Sequence, residues 1–361
     1  MGKEKQMNEI ESKITKSFKE HPRRRNCTLP SGIEFTSSAP DVVTMSLSPS
    51  AIGLNSESKK NANMQKDCAA FEAWAFFIYR YYLHESGKIY LCVNDSAGTA
   101  KSNVGTGCSG HFNRFLYRAM KFSEQYDWFE MSDVLTAKVA EFKQYISDPD
   151  KMFLNNVPNK KTKRSSEEDE NPETISDSSE QGTGSGSMSS SALESYVESC
   201  FCDAPELLRK IAGNKIGNNK IYAQLPVGLF EGKTHGVHSV FTGKKSAIDM
   251  WTRDDNTIHI FELKADNKEV GIISELMFYA NYIYDMYVDQ GNRFHPQDNK
   301  EAERGYDKLV SDPPLKNVCA YMLTNKLHPL IDEEVLKLMN APGIIHYERL
   351  NYKFNVSICE Q

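Results

Sequence analysis

The chain reads as an α/β protein: a mixed sheet flanked by helices in the C-terminal half, plus a separate, mainly helical α+β domain at the N-terminus. Three observations predict this. Apolar runs of strand length at 220–231, 246–253 and 257–265 precede an amphipathic helix and then a further strand, helix and strand. Residues 1–154 carry helical periodicity around a strand at 88–94. Between the two, residues 155–191 (NNVPNKKTKRSSEEDENPETISDSSEQGTGSGSMSSS) hold almost no apolar side chains and cannot offset their ordering entropy by burial. The expected division is therefore 1–154 as one domain, 155–190 as a disordered acidic Ser/Gly-rich linker, and 191–361 as the second domain.

Length and composition agree with two domains. At about 150 residues per domain, 361 residues suffice for two cores, and a hydrophobic share of 39% with 25% charged excludes fibrous and wholly disordered classes. The net charge of −6 argues against a globally basic polyanion binder, so any nucleic-acid surface is expected to be local. The eight cysteines form no C-x-x-C pair, which predicts reduced thiols and neither a four-cysteine zinc site nor an iron–sulfur cluster. No run of about 18 apolar residues is present, and the first residues are charged, without the apolar core of a secretory signal. These features lead to the expectation of a cytoplasmic protein, or one at a nucleoid or nucleus, with no membrane partner.

In the N-terminal part a charged helix is expected at 3–20, followed by the basic run Arg23-Arg24-Arg25, read as a charged tail in preference to a DNA-contacting arm. Residues 64–86 predict a helix whose Phe71, Trp74, Ile78 and Tyr81 share one face. A strand (88–94), a Gly-rich loop (95–110) and helices at 111–124 and 131–147 follow. That order suggests a phosphate cradle, but no G-x-x-x-x-G-K-[ST] is present, and ordinary loop glycines are the simpler reading. The role of this half is left open, a ligand or partner included.

The C-terminal part carries the chemistry. A helical stretch at 191–212, broken near Pro205, leads into the three strands, and Asp254-Asp255-Asn256 predicts a tight turn pairing the second and third as a hairpin. On the third strand Ile258, Ile260, Glu262 and Lys264 alternate onto one face, with Glu262 and Lys264 roughly 7 Å apart at Cα. In the simplest hairpin register Asp249 approaches Glu262. Two carboxylates and a lysine suit metal-assisted phosphodiester hydrolysis. Asp249 and Glu262 are the hard oxygen ligands expected to hold Mg2+ (or Mn2+), and Lys264 is expected to act on the attacking water or the phosphate. A long helix over 268–288, a strand at 317–324, a helix at 331–340 and a last strand near 343–358 complete the half.

Ile248-Asp249 followed by Glu262-Leu263-Lys264 resembles the signature of the PD-(D/E)xK nuclease superfamily, over roughly residues 190–361. The next helix adds Glu275-Leu276-x-x-Tyr279, similar to the Q-hydrophobic-x-x-Y motif of RecB-like members, with Glu275 where Gln is usual. The resemblance implies a restriction-endonuclease-like fold and a metal-dependent nuclease acting on DNA, with Asp249, Glu262, Lys264 and Glu275 at the catalytic centre. A homodimer is a further expectation from it. Many members add a Glu from the preceding helix, which makes Glu198 a metal-ligand candidate and Glu194, one turn away, its rival. Lys215, Lys220, Lys244 and Lys245 are candidate nucleic-acid contacts near the active end. His235 and His238 lack a third ligand nearby and are read as loop residues. The alternative reading is a catalytically silent nucleic-acid-binding or ligand-sensing module of the same fold.

Overall fold

The computed structural model describes residues 7–55, 61–158, 190–213, 215–266, 269–289, 294–297, 299 and 302–353. It is a mixed α/β structure with two sheets. Helix α1 (Glu9–Lys19) starts at Asn8, whose side chain and that of Glu11 cap each other's backbone N–H groups. Strands β1 (Ile33–Ala39) and β2 (Val42–Leu47) pair antiparallel, and β3 (Lys88–Val93) and β4 (Phe129–Met131) extend the first sheet in parallel, in the order β1-β2-β3-β4. Helices α2 (Phe71–Tyr81), α3 (Ser96–Lys101), α4 (Gly110–Gln125) and α5 (Asp133–Ile146) are interleaved with these strands.

The expectations missed β1 and β2, although Ile33 and Phe35, then Val43, Met45 and Leu47, alternate into the core on either side of a Pro40-Asp41 turn. In the Gly-rich loop, Ser109 caps α4 through Phe112 N–H and donates to Gly53 O, while Asn113 reaches Val240 O. The start of α4 is thus docked against protein.

Helices α6 (Ser190–Asp203) and α7 (Pro205–Ile211) break at Pro205, as expected. The second sheet takes β5 (Phe153–Asn155), β6 (Tyr222–Glu231), β7 (Ser239–Asp254), β8 (Thr257–Lys264), β9 (Phe294–His295), β10 (Asn317–Thr324) and β11 (His346–Asn351). Their spatial order is β11-β10-β8-β7-β6-β5-β9. β6, β7 and β8 are antiparallel, whereas β10 lies parallel to both β8 and β11. Helix α8 (Ile272–Ile283), continued by a wide turn through Val288, makes the crossover from β8 towards β10. The short helix α9 (Tyr306–Leu309) precedes β10, and α10 (Glu333–Asn340) links it to β11.

The two halves share one core. A single apolar cluster joins Phe71, Trp74, Phe115 and Phe122 to Ile258, Ile260, Ile273 and Leu276, so α2 and α4 lie over α8 on one face of the large sheet. A second cluster fills the other face, where Val197, Phe201 and Leu208 of α6 and α7 meet Met250, Phe261, Leu263 and Leu323. The expected boundary at 154/155 falls inside β5, which pairs with β6 of the C-terminal half. Asn155 is buried there, donating to the Tyr287 and Tyr306 hydroxyls, so the polar stretch does not begin at 155. The rest of the expected linker, 159–189, with its basic cluster, lies outside the described residues.

A buried ion pair ties these layers together. Arg118 on α4 forks onto Glu72 on α2, with Nε 2.7 Å from Oε1, and both side chains are 2% exposed. Arg118 also donates to Ala69 O, and Ser274 of α8 donates to Glu72 Oε2 at 2.7 Å. Arg118→Met, which leaves Glu72 charged and unpaired in the core, should therefore destabilise the protein by about 3–5 kcal/mol. The Glu72→Leu/Arg118→Met double variant should recover most of that loss. Urea unfolding of the three proteins checks both outcomes.

Candidate active site

β7 and β8 bring the acidic residues together. Their pairing runs from Asp254↔Thr257 to Met250↔Phe261, and the next step in the same register sets Asp249 opposite Glu262. Asp249 Oδ2 accepts the Leu263 N–H at 2.8 Å, which fixes its carboxyl at the end of the ladder. Glu262 and Lys264 alternate onto the face that carries Ile258 and Ile260, towards α8. Lys264 Nζ is 2.5 Å from Glu262 Oε1 and 3.4 Å from Glu275 Oε2, so one ammonium sits between a strand carboxyl and a helix carboxyl. Glu262 is 1% exposed and Glu275 5%.

Glu275 is held from three sides. The Tyr279 hydroxyl, one turn further along α8, donates to Oε1 at 3.2 Å, and the Gln65 amide donates to Oε1 and Oε2 at 3.0 and 2.9 Å. Gln65 belongs to a strap across the start of α8. Asp67 accepts Val270 N–H, and Lys66 pairs with Glu269. A Cβ at Gly271 would lie 2.1 Å from Gln65 O, so this close approach requires glycine.

Two acids of α6 approach from the other side. Glu194 Oε1 accepts Ala265 N–H at 2.9 Å, just beyond Lys264. Glu198 is bound by Gln224 Nε2 at 2.6 Å and lies near enough to Asp249 to raise its proton affinity.

Crowded carboxylates with a single central lysine have uneven proton affinities. Burial pushes Asp249 up to about 7, with Glu275 and Glu198 adding to the shift and Lys264 and the Leu263 N–H opposing it. Burial, then Asp249 and Glu275, raise Glu262 well above the carboxylate range. Burial also works to raise Glu275, but Lys264 and hydrogen bonds from Glu262, Gln65 and Tyr279 outweigh it and hold Glu275 below the usual value. Burial would lower Lys264, yet Glu262, Glu275, Asp249 and Glu194 raise it well above, so it stays charged. Burial raises both Glu194 and Glu198.

The donor set suits a hard divalent cation. Oε2 of Glu262 is buried and accepts no hydrogen bond. Among the described residues no group of three or more His, Cys, Asp or Glu side chains is placed to hold a metal ion. Asp249 and Glu262 form a two-carboxylate pair of the hard oxygen type that Mg2+ takes.

The other candidates have partners or positions of their own. Lys215 and Lys220 bracket a loop attached to β7. Gly217 N–H and the Asn219 amide bond to Asp254, and Asn219 also donates to Arg253 O, tying their loop to the β7–β8 turn. Lys215 is paired with Glu348 of β11, and Lys220 lies over the Tyr222 ring at 5.6 Å. Lys244 and Lys245 lie on β7, and their side chains fall outside the described residues. His235 and His238 flank a short turn before β7 and join no metal-binding group. Arg24 stacks on Tyr81, its guanidinium carbon 3.7 Å from the ring centre. Gln65 was not anticipated: it stands 210 positions from Glu275, and no local motif marks it.

The raised Asp249 carboxyl has a consequence for stability without metal. A carboxyl raised from 3.8 to about 7 binds its proton more tightly in the folded chain, so its contribution is in place in acid and is lost as pH rises through that window. The urea midpoint should accordingly fall from about pH 4 to about pH 7 more steeply for the wild type than for Asp249→Asn, which keeps an acceptor for Leu263 N–H.

The chain matches no protein-family model, no curated protein and no solved structure.

Proposed function

We propose that the protein is a metal-dependent phosphodiesterase, a nuclease of the PD-(D/E)xK kind acting on DNA. The observation that carries the reading is the β7–β8 end, where Asp249, one step beyond the Met250↔Phe261 pair, accepts the Leu263 N–H and the Lys264 ammonium lies 2.5 Å from Glu262. The order α6, antiparallel β6–β7–β8, α8 and parallel β10 supports a restriction-endonuclease-like assignment of the large sheet. DNA as substrate, and a homodimer cutting two strands, rest on the resemblance of Asp249, Glu262-Leu263-Lys264 and Tyr279 to that superfamily.

In this reading Asp249 and Glu262 would hold Mg2+ or Mn2+, with Glu198 or Glu194 of α6 as the further candidates. The cation supplies a lowered water pKa and neutralises charge growing on the phosphate. The chain's own residues do the remainder. Lys264, kept cationic by four carboxylates, orients the attacking water or donates to a phosphate oxygen. Glu275, kept anionic, holds that ammonium in line. Burial of Glu262 and Glu275 keeps bulk water out, which strengthens each of these interactions.

A silent module of the same fold is the second reading, favoured by the closure of the cluster, since the Lys264 side chain is only 16% exposed and already paired twice. Cleavage of supercoiled plasmid and of single-stranded DNA with Mg2+ or Mn2+ separates the two. Metal-dependent cutting by the wild type, reduced about 100-fold or more in both Lys264→Ala and Asp249→Asn, is the expected result. Equal cutting by all three proteins would assign the activity elsewhere, and no cutting by the wild type with either metal would leave the silent module.

A further inference from the structure

The contact between the two halves reaches the reactive groups themselves. Gln65 lies in the segment before α2, yet its amide spans both oxygens of Glu275 on α8, at 3.0 and 2.9 Å. Tyr279 supplies one further donor, to Oε1 alone. The side of Glu275 facing Lys264 is its Oε2, 3.4 Å from Nζ, and that same oxygen accepts the Gln65 amide from outside α8 and β8. The strap is anchored on either side of the amide. Gly271 admits the Gln65 backbone where a side chain would clash, Val270 N–H is bound by Asp67, and Glu269 is paired with Lys66. Three consecutive residues of the N-terminal half thus engage residues at and before the start of α8. A carboxylate on a long side chain holds one rotamer only if its surroundings select it. Here part of the selection comes from a residue 210 positions away in sequence.

We infer that Gln65 is a positioning residue of the nuclease site: it fixes the Glu275 carboxylate and, through it, the placement of the Lys264 ammonium against Glu262. The centre is then built by both halves of the chain, and the N-terminal half is a structural part of it. The inference rests on the reading of Lys264 as the working cation of a nuclease, and its test has one arm that needs no cleavage.

Two full-length variants are compared with the wild type: Gln65→Met, of similar length without donors, and Gln65→Asn, with the amide one methylene short. In the first arm, surface acetylation by an N-hydroxysuccinimide ester is followed lysine by lysine by mass spectrometry. Lys121 is the internal control, because its side chain is also 16% exposed and paired with a carboxylate, Asp285. Acetylation of Lys264 should rise several-fold in both variants while that of Lys121 stays unchanged. A rise at both lysines would mean general loosening, and no rise at either would mean that Gln65 does not hold Lys264. Each of those results overturns the inference. In the second arm, plasmid cleavage with Mn2+ should show kcat reduced by about 10- to 100-fold with KM changed little, as a misplaced group predicts. Unchanged kcat overturns the inference. An inactive wild type defeats the nuclease reading alone, and the acetylation arm still decides whether Gln65 holds Lys264.

Discussion

A slip of one residue between β7 and β8 would turn Asp249 to the face occupied by Phe261 and Leu263, and no carboxylate pair would form. The register is held because both faces of these strands are buried against different partners. Met250 and Phe261 face α6 and α7, whereas Trp251 and Ile260 belong to the core shared with α2, α4 and α8. Moving β8 by one place would put Glu262 and Lys264 into the apolar α6–α7 layer, and moving β7 would put Asp249 there. The packing of hydrophobic side chains along the strands thus sets the geometry of the charged ones at their end.

With that register in place, the electrostatics of the cluster follow. One lysine stands among Asp249, Glu262, Glu275 and Glu194, and burial makes every uncompensated charge costly. The cluster resolves the excess unevenly. Glu275 collects the amide, hydroxyl and ammonium donors and stays ionised, while Glu262 and Asp249 retain protons that a divalent cation would displace. The same deep burial that makes Glu262 a poor isolated anion makes it a strong ligand once a compensating charge arrives.

The elements around the site were largely legible in the sequence, because their signals are local. The Asp254-Asp255-Asn256 turn, the alternation Ile258–Lys264 and the apolar run 317–324 each specify one element without reference to the rest. What escaped was set by tertiary packing. β5 is three residues long and gains its pairing from β6, and Gln65 meets Glu275 only because the shared core folds the two halves together. The two acids of α6 lie one turn apart, and their roles depend on how the helix rolls against the sheet. Glu194 reaches the end of β8 through Ala265 N–H, whereas Glu198 is taken up by Gln224. The attachment of the Lys215–Lys220 loop to the hairpin turn escaped for the same reason, since the hydrogen bonds that make it leave no trace in composition.

The insertion of β5 between β6 and β9 bears on how this protein can be taken apart. A C-terminal half flanked by a polar stretch looks modular, ready for grafting onto another domain by cutting near residue 190. Such a graft would leave behind a strand of its own sheet, strip one side of β6 and expose the apolar surface of α8 that α2 and α4 cover. The natural seam for engineering, or for exchange between genes, is thus not the polar stretch, and recombination there would yield chimaeras prone to strand exchange and aggregation.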